Sequence, residues 1–409
     1  MQKFGGLVLA LFCVLALCSC AKAGPEQPVE EEREEHAIGE VAAQEQAAPT
    51  MEERLAAQLR TMTIEEKIAQ MMIIQYPSET MDDTLMHDIR DVKPGGFLLT
   101  SENLGTYEQT KELVEALQSN SEIPMFISVD QEGGVVQRFS ELSGSVPTEI
   151  PSMLSVGRTG ETQLAYDIGK VIAEELRTVG INLDFAPVMD ILPQNGESFI
   201  GTRSFGSDAA MVSAMAMAFA KGLEEHGVLS VYKHFPGHGD TTTDSHRNLP
   251  VMDKTKEELL ENELIPFQKA IESGADMIMV GHIALPKVVG DDTPASLSGT
   301  IITDLLKTEL GYEGLVITDA LSMRALTNQY SHEEICIKAV EAGVDLLLLP
   351  NDCERAVELI KETFSEERID QSVAKILRLK YTQLEKYSLL DSTYLGSDEH
   401  RAVVARVYE

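Results

Sequence analysis

Residues 208-DAAMVSAMAMAFAKGLEEHG-227 run directly into 228-VLSVYKHF-235. The first segment is a helix-like stretch closed by Gly227, and a glycine just past the last periodic residue is a helix stop signal. The second is an apolar run of strand length that ends in Lys233 and His234. A helix feeding an apolar strand whose far end turns polar is one α/β unit. The fold follows from how often that unit recurs.

It recurs along the whole chain from Met51. Apolar runs of strand length stand at 71-MMIIQY, 95-GGFLLT, 124-PMFISVD, 181-INLDFAPVMD, 228-VLSVYKHF, 276-DMIMVGHI, 314-GLVITDA and 344-VDLLLLP. Helix-like stretches lie between them, among them 161-ETQLAYDIGKVIAEELRTVG and 256-KEELLENELIPFQKAIESG. Eight such strands alternating with helices predict an α/β fold, a (β/α)8 TIM barrel, as a single catalytic domain over residues 51–390. An open, doubly wound sheet is the structural alternative. The barrel predicts that functional groups gather at the C-terminal strand ends. Asp130, Asp190, Lys233, His234, His282 and Asp319 all stand there.

The flanks read differently. MQKFGG followed by LVLALFCVLALCSC is a short basic start and an apolar run of signal-peptide length, too short for a comfortable membrane span. Its end, Leu17-Cys18-Ser19-Cys20, resembles a bacterial lipobox. Residues 1–19 are therefore expected to be a lipoprotein signal peptide, with Cys20 the lipidated residue. Residues 20–50, rich in Glu, Gln, Ala and Pro without apolar periodicity, are expected to be a disordered acidic tether. Residues 391–409 are expected to be a C-terminal tail. Cys13 and Cys18 would leave with the signal, so Cys336 and Cys353 remain as structural thiols rather than a disulfide framework or zinc ribbon.

Of 409 residues, 43% are hydrophobic, enough for a sizeable core, and the formal net charge is −34. A surface that acidic repels phosphate backbones, which argues against a nucleic-acid partner. Aromatic residues make up 5%, with no tryptophan, which suits a small pocket for a terminal sugar better than a long stacked groove.

The chemistry concentrates in few residues. Asp319 ends an apolar strand, and an ionised carboxylate there needs donors or a cation nearby; it suits a nucleophile attacking an anomeric carbon. Asp244 and His246 are two apart, a spacing that does not share a helix face, so they belong to an extended loop. There the carboxylate would orient the imidazole and favour its proton transfer. The neighbouring Gly237 and Gly239 would let that loop move. Lys233, Arg138, Arg203 and Asp130 suit multidentate gripping of sugar hydroxyls. His234, His238, Asp240, Asp244 and His246 are also zinc ligand types, although Lys233 beside them disfavours a dication.

At this point the residues resemble glycoside hydrolase family 3, in its bacterial β-N-acetylhexosaminidase branch and single-domain form. The resemblance rests on 233-KHFPGHG-239 followed by Asp244-Ser245-His246, on 296-SLSGTIITDLLKTELGYEGLVITDALSM-323, and on 129-VDQEGGVVQR-138, 183-LDFAPVMDI-191 and 201-GTRSFGSD-208. These blocks span about residues 55 to 385. The resemblance implies a retaining exo-glycosidase acting on terminal non-reducing β-linked N-acetylglucosamine, on peptidoglycan fragments. Asp319 would be the nucleophile, and His246 the acid/base with Asp244 as its partner. Asp130, Arg138, Arg203, Lys233 and His234 would bind the sugar. No cofactor and no metal are expected. The chain is expected to be an exported monomer, held by lipid on the outer side of the cytoplasmic membrane or in the periplasm. A β-glucosidase, a phosphorolytic member and an inactive sugar-binding lipoprotein are the alternatives.

Overall fold

The computed structural model describes residues 49–194, 196–386 and 388–409. The signal peptide, Cys13, Cys18, the lipidation site Cys20 and nearly all of the tether lie outside the described residues. Helix Met51–Thr61 starts where the tether was expected to end. Thr50 and Glu53 form a reciprocal capping box there, satisfying donors that a helix start leaves open.

Each of the eight apolar runs contributes a strand: Met72–Ile74, Gly96–Leu98, Phe126–Val129, Leu183–Asp184, Leu229–Ser230 continuing as Tyr232–Phe235, Met277–Val280, Leu315–Thr318 and Leu347–Leu348. All barrel pairings are parallel. The first strand pairs with the second at Ile73↔Gly96 and with the eighth at Met72↔Leu347. The fifth joins the fourth at Leu183↔Leu229 and the sixth at Tyr232↔Ile278. The seventh pairs with the sixth and meets the eighth at Ile317↔Leu346. The ring is closed, which excludes the open sheet. Both faces of these strands are buried, so the sequence shows near-continuous apolar runs rather than alternation.

Helices Thr162–Leu176 and Ala209–Glu225 pack closely outside the ring. A Cβ on Gly169 would sit 2.2 Å from the Phe219 carbonyl oxygen, and one on Gly222 would sit 2.2 Å from that of Tyr166. The two glycines are what allow the backbones to approach. The stretch expected as one helix from Lys256 is two, Lys256–Glu261 and Ile265–Glu272. Pro266 explains the break. It lacks a backbone donor and crowds a preceding turn, but fits the first turn of a new helix.

Residues 391–409 are not a tail. They include helix Asp398–Ala405, which packs against Thr162–Leu176. His400 is buried between Glu174 (3.0 Å) and Glu175 (3.1 Å), and Arg406 pairs with Asp167 at 2.7 Å. His400 and Arg406 thus find their partners on the barrel's helix layer. Residues Pro49–Glu409 are therefore one compact unit. Cys336 is buried and Cys353 half-buried, both free thiols; burial pushes each up to about 12. No helix among the described residues is long and apolar enough to cross a membrane.

Candidate active site

The third strand ends at Val129, and Asp130 follows. The chain then enters a short antiparallel hairpin, Gln131–Gly133 with Val136–Gln137. That hairpin buries Glu132 in the site wall. Lys233, on the fifth strand, places its ammonium 2.8 Å from Asp130 Oδ1 and 2.6 Å from Glu132 Oε1. Arg203 grips Glu132 as a fork, with Nε to Oε2 and Nη2 to Oε1 both at 2.7 Å. Two carboxylates and two cations thus neutralise one another in a water-poor wall, the condition for keeping buried charge. Burial raises the Glu132 carboxyl, but the Lys233 and Arg203 cations outweigh it and hold Glu132 far below the usual carboxylate range.

Asp184 ends the fourth strand behind this cluster. Its Oδ1 accepts the Gln131 N–H at 2.9 Å, and its buried Oδ2 has no partner among the described residues. Burial drives its pKa well above the ordinary carboxyl value, against the pull of the Gln131 N–H and the Lys233 ammonium.

His234 is buried and directs Nδ1 to Asp190 Oδ2 at 2.7 Å. Its Nε2 lies 3.4 Å from Arg203 Nη2, which can only donate. Nδ1 therefore carries the proton and Nε2 the lone pair. Asp190 Oδ1 accepts the His238 N–H at 2.7 Å. Burial opposes ionisation of Asp190, and His234 and His238 outweigh it. His238 faces Thr241 through Nδ1, and burial first, then His234, push it down to about 4.

Asp319 follows the seventh strand. Its N–H donates to Val280 O at 3.0 Å, and its Oδ1 accepts the Ala320 N–H at 2.7 Å. Burial alone would raise its pKa. The His282 and His234 imidazoles, the Ala320 N–H and the Lys233 ammonium outweigh burial and hold it at about 2. It is an ionised carboxylate, half-buried at the strand end.

The loop after the fifth strand carries the remaining pair. Asp244 Oδ1 accepts both the His246 backbone N–H (2.9 Å) and His246 Nδ1–H (3.0 Å), which leaves Nε2 for chemistry. The His246 side chain is 69% exposed, open to a leaving group and to water. The loop is tied to the segment after Asp319 by Ala325 N–H to Ser245 O, 3.2 Å, and by Asn328 to Arg247 O, 3.1 Å. Gly239 has a packing task. A Cβ on Gly239 would fall 1.9 Å from the Ile191 carbonyl oxygen, so this glycine packs the loop's root tightly against the fourth strand's end. Beyond it Asp240, Thr242 and His246 to Asn248 are exposed, while Thr241 and Ser245 stay buried.

Asp130, Arg203, Lys233 and His234 are therefore brought into one network, with Asp319 in its field, and Asp244 and His246 form a pair. Arg138 is not in the network. Its guanidinium faces Glu141 at 3.4 Å and is half-exposed, while its backbone N–H bonds the Asp130 carbonyl. Sequence reasoning misses Glu132 and Asp184 as site residues; it offers His238 only as a zinc ligand type, and Asp190 and His282 only as polar strand ends. The signal for Glu132 is that it is the one charge inside the hairpin 131-QEGGVVQ-137. His234, His238 and His246 commit Nδ1 to Asp190, Thr241 and Asp244 respectively. Among the described residues, no three His, Cys, Asp or Glu side chains converge as a metal site.

Residues 63–379 match the family described as Glycosyl hydrolase family 3 N terminal domain. The chain is 35% identical over 349 residues to Beta-hexosaminidase A of Pseudoalteromonas piscicida, covering 76% of this chain and 58% of that protein. It is 35% identical over 266 residues to the Beta-hexosaminidase of Idiomarina loihiensis, covering 65% of this chain and 79% of that one. Among solved structures it resembles a glycoside hydrolase family 3 beta-N-acetylglucosaminidase from Paenibacillus. There the TM-score is 0.80 at 35% identity, over 85% of this chain and 68% of that chain. The chain thus spans less than two thirds of the Pseudoalteromonas relative's length.

Proposed function

The chain belongs to glycosyl hydrolase family 3, and on that premise we propose that it is a retaining exo-glycosidase for terminal non-reducing β-linked N-acetylglucosamine. The observation that carries this is Asp319: ionised, half-buried, with Oδ1 held by Ala320 and Oδ2 left to react. The names of the two relatives and the Paenibacillus structure support the sugar assignment.

In the first step Asp319 Oδ2 bonds to the anomeric carbon as the glycosidic C–O bond breaks, and the leaving oxygen takes the proton on His246 Nε2. In the second, water attacks the same carbon, His246 Nε2 takes its proton, and the bond to Asp319 breaks. Two inversions return the original configuration. Asp244 holds Nδ1–H throughout and stabilises the imidazolium. Asp130 and Lys233 offer an acceptor and a donor for sugar hydroxyls, braced from behind by Glu132 and Arg203. The apolar start and Cys20 support a lipid-anchored enzyme outside the cytoplasm, where peptidoglycan fragments are the substrate we infer.

The test is trapping. A 2-fluoro N-acetylglucosaminide analogue with a good leaving group should accumulate as an adduct, and peptide mapping should place it on Asp319. An adduct elsewhere overturns the mechanism. Free sugar as the product, with phosphate present, supports hydrolysis; a sugar 1-phosphate would make the enzyme a phosphorylase.

A further inference from the structure

We propose that His282 is a positioning residue for this reaction, setting the attack geometry of Asp319 through the Ala320 carbonyl. The inference rests on the reading of Asp319 as nucleophile. His282 follows the sixth strand, is fully buried, and has both ring nitrogens engaged. Nε2 lies 2.9 Å from the Ala320 carbonyl oxygen and Nδ1 lies 2.7 Å from Ser296 Oγ. A carbonyl only accepts, so Nε2 carries the proton and Nδ1 accepts from the Ser296 hydroxyl. A ring with no exposed atom and no free nitrogen does not touch substrate.

What it does touch frames Asp319. The Asp319 N–H donates to Val280 O at 3.0 Å, and His282 binds the carbonyl one residue beyond Asp319. The end of the sixth strand therefore grips the chain on both sides of the carboxylate. Between these two ties, the Ala320 N–H fixes Asp319 Oδ1 at 2.7 Å, so the direction of Oδ2 follows from where Ala320 is held. Residue 281 connects this frame to the sugar wall: a Cβ on Gly281 would stand 3.1 Å from the His234 Cβ. A displacement of about 1 Å at a nucleophile can lower a rate about 10²-fold, so a tie of this kind matters to kcat rather than to sugar affinity.

The experiment compares His282→Leu, His282→Gln and Ser296→Ala with wild type on an aryl β-N-acetylglucosaminide, together with the rate of Asp319 labelling by the fluorinated sugar. His282→Leu should lower kcat and the labelling rate about 10²-fold with KM within about threefold. Glutamine, whose amide can still donate to Ala320, should recover about tenfold of that. Ser296→Ala should lower kcat by up to about tenfold, and it keeps the question open to test if His282→Leu does not fold. The alkaline midpoint of the pH–rate profile should stay in place in every variant, because His282 transfers no proton, and any shift on the acid side should be upward, because His282 helps hold Asp319 ionised. A loss confined to KM, no recovery with glutamine in a folded protein, or Ser296→Ala with wild-type kcat would overturn the proposal. If wild type labels a residue other than Asp319, the parent reading fails; if wild type labels Asp319 and folded His282→Leu labels equally fast, only the positioning role fails.

Discussion

Glu132 Oε1 lies 2.6 Å from the Lys233 ammonium, and both side chains are shut off from solvent. The pair joins the third and fifth strand ends across the barrel mouth. Arg203 shares the same carboxylate, so Glu132 neutralises two cations at once.

Replacing Glu132 by Gln keeps the shape and removes the charge. Arg203 would then lose its carboxylate partner, and Lys233 would keep only Asp130. Breaking a buried ion pair from one side typically destabilises by about 3–5 kcal/mol. Urea unfolding of Glu132→Gln should show a loss of that order, and KM should rise because Lys233 and Asp130 are no longer braced. Wild-type stability would mean that water or rearrangement compensates the two cations.

Asp319→Asn should lower kcat on the order of 10³-fold or more while leaving binding of the product sugar within about threefold. The pH dependence follows from its depressed pKa of about 2. The group is ionised above that value, so an acid limb seen between pH 4 and 6 would have to come from another group. The alkaline limb should reflect loss of the proton needed on His246. Asp244→Asn removes the charge that stabilises the imidazolium and should move that limb to lower pH. An unmoved limb would separate Asp244 from the proton transfer.

Much of this was legible in the sequence, for a physical reason. Strands buried on both faces are written as apolar runs, and a charge at the end of such a run is conspicuous, as Asp319 and Lys233 are. Partners that arrive from elsewhere in the chain are not conspicuous. Glu132 pairs with Arg203 across 71 positions, and nothing local distinguishes Arg203 from Arg138. The C-terminal segment misled in the same way, because His400 meets Glu174 across 226 positions.

The two arginines can be told apart by kinetics. Arg203→Lys keeps a positive charge but loses the fork on Glu132, and KM should rise about tenfold or more. Arg138→Ala removes a half-exposed side chain paired with Glu141, and KM should stay within about threefold, since exposed pairs contribute little. The reverse order would show that Arg138 swings into the pocket when sugar binds.

His400 should make stability depend on pH in one direction. Burial opposes its charge, but Glu174 and Glu175 outweigh burial and raise it to about 9 from 6.5. A group whose folded pKa is raised contributes fully below 6.5, and the contribution fades as pH rises through 9. Thermal unfolding should therefore separate wild type from His400→Gln by a few degrees, on the order expected for a lost charged pair, at pH 6. The gap should close by pH 10. A gap that persists at pH 10 would assign the role of His400 to packing.

Asp184 should show the same sign, beginning at lower pH. Its folded pKa lies well above 3.8, because it is buried near Asp130 and Glu132, whose charges reinforce the effect. Between the two values the native state holds a proton that the unfolded chain has released, so this group weakens the fold as pH rises above 3.8. Asn resembles the neutral acid: its carbonyl can accept the Gln131 N–H that Asp184 Oδ1 accepts now. Asp184→Asn should therefore be at least as stable as wild type at pH 8, with the advantage vanishing below pH 4. Its kcat/KM should stay within about threefold, because the hairpin that carries Asp130 and Glu132 is still held. If Asp184→Asn were instead markedly less stable at pH 8, Asp184 would be an ionised partner of Lys233. The charge balance of the site wall would then be three carboxylates against two cations.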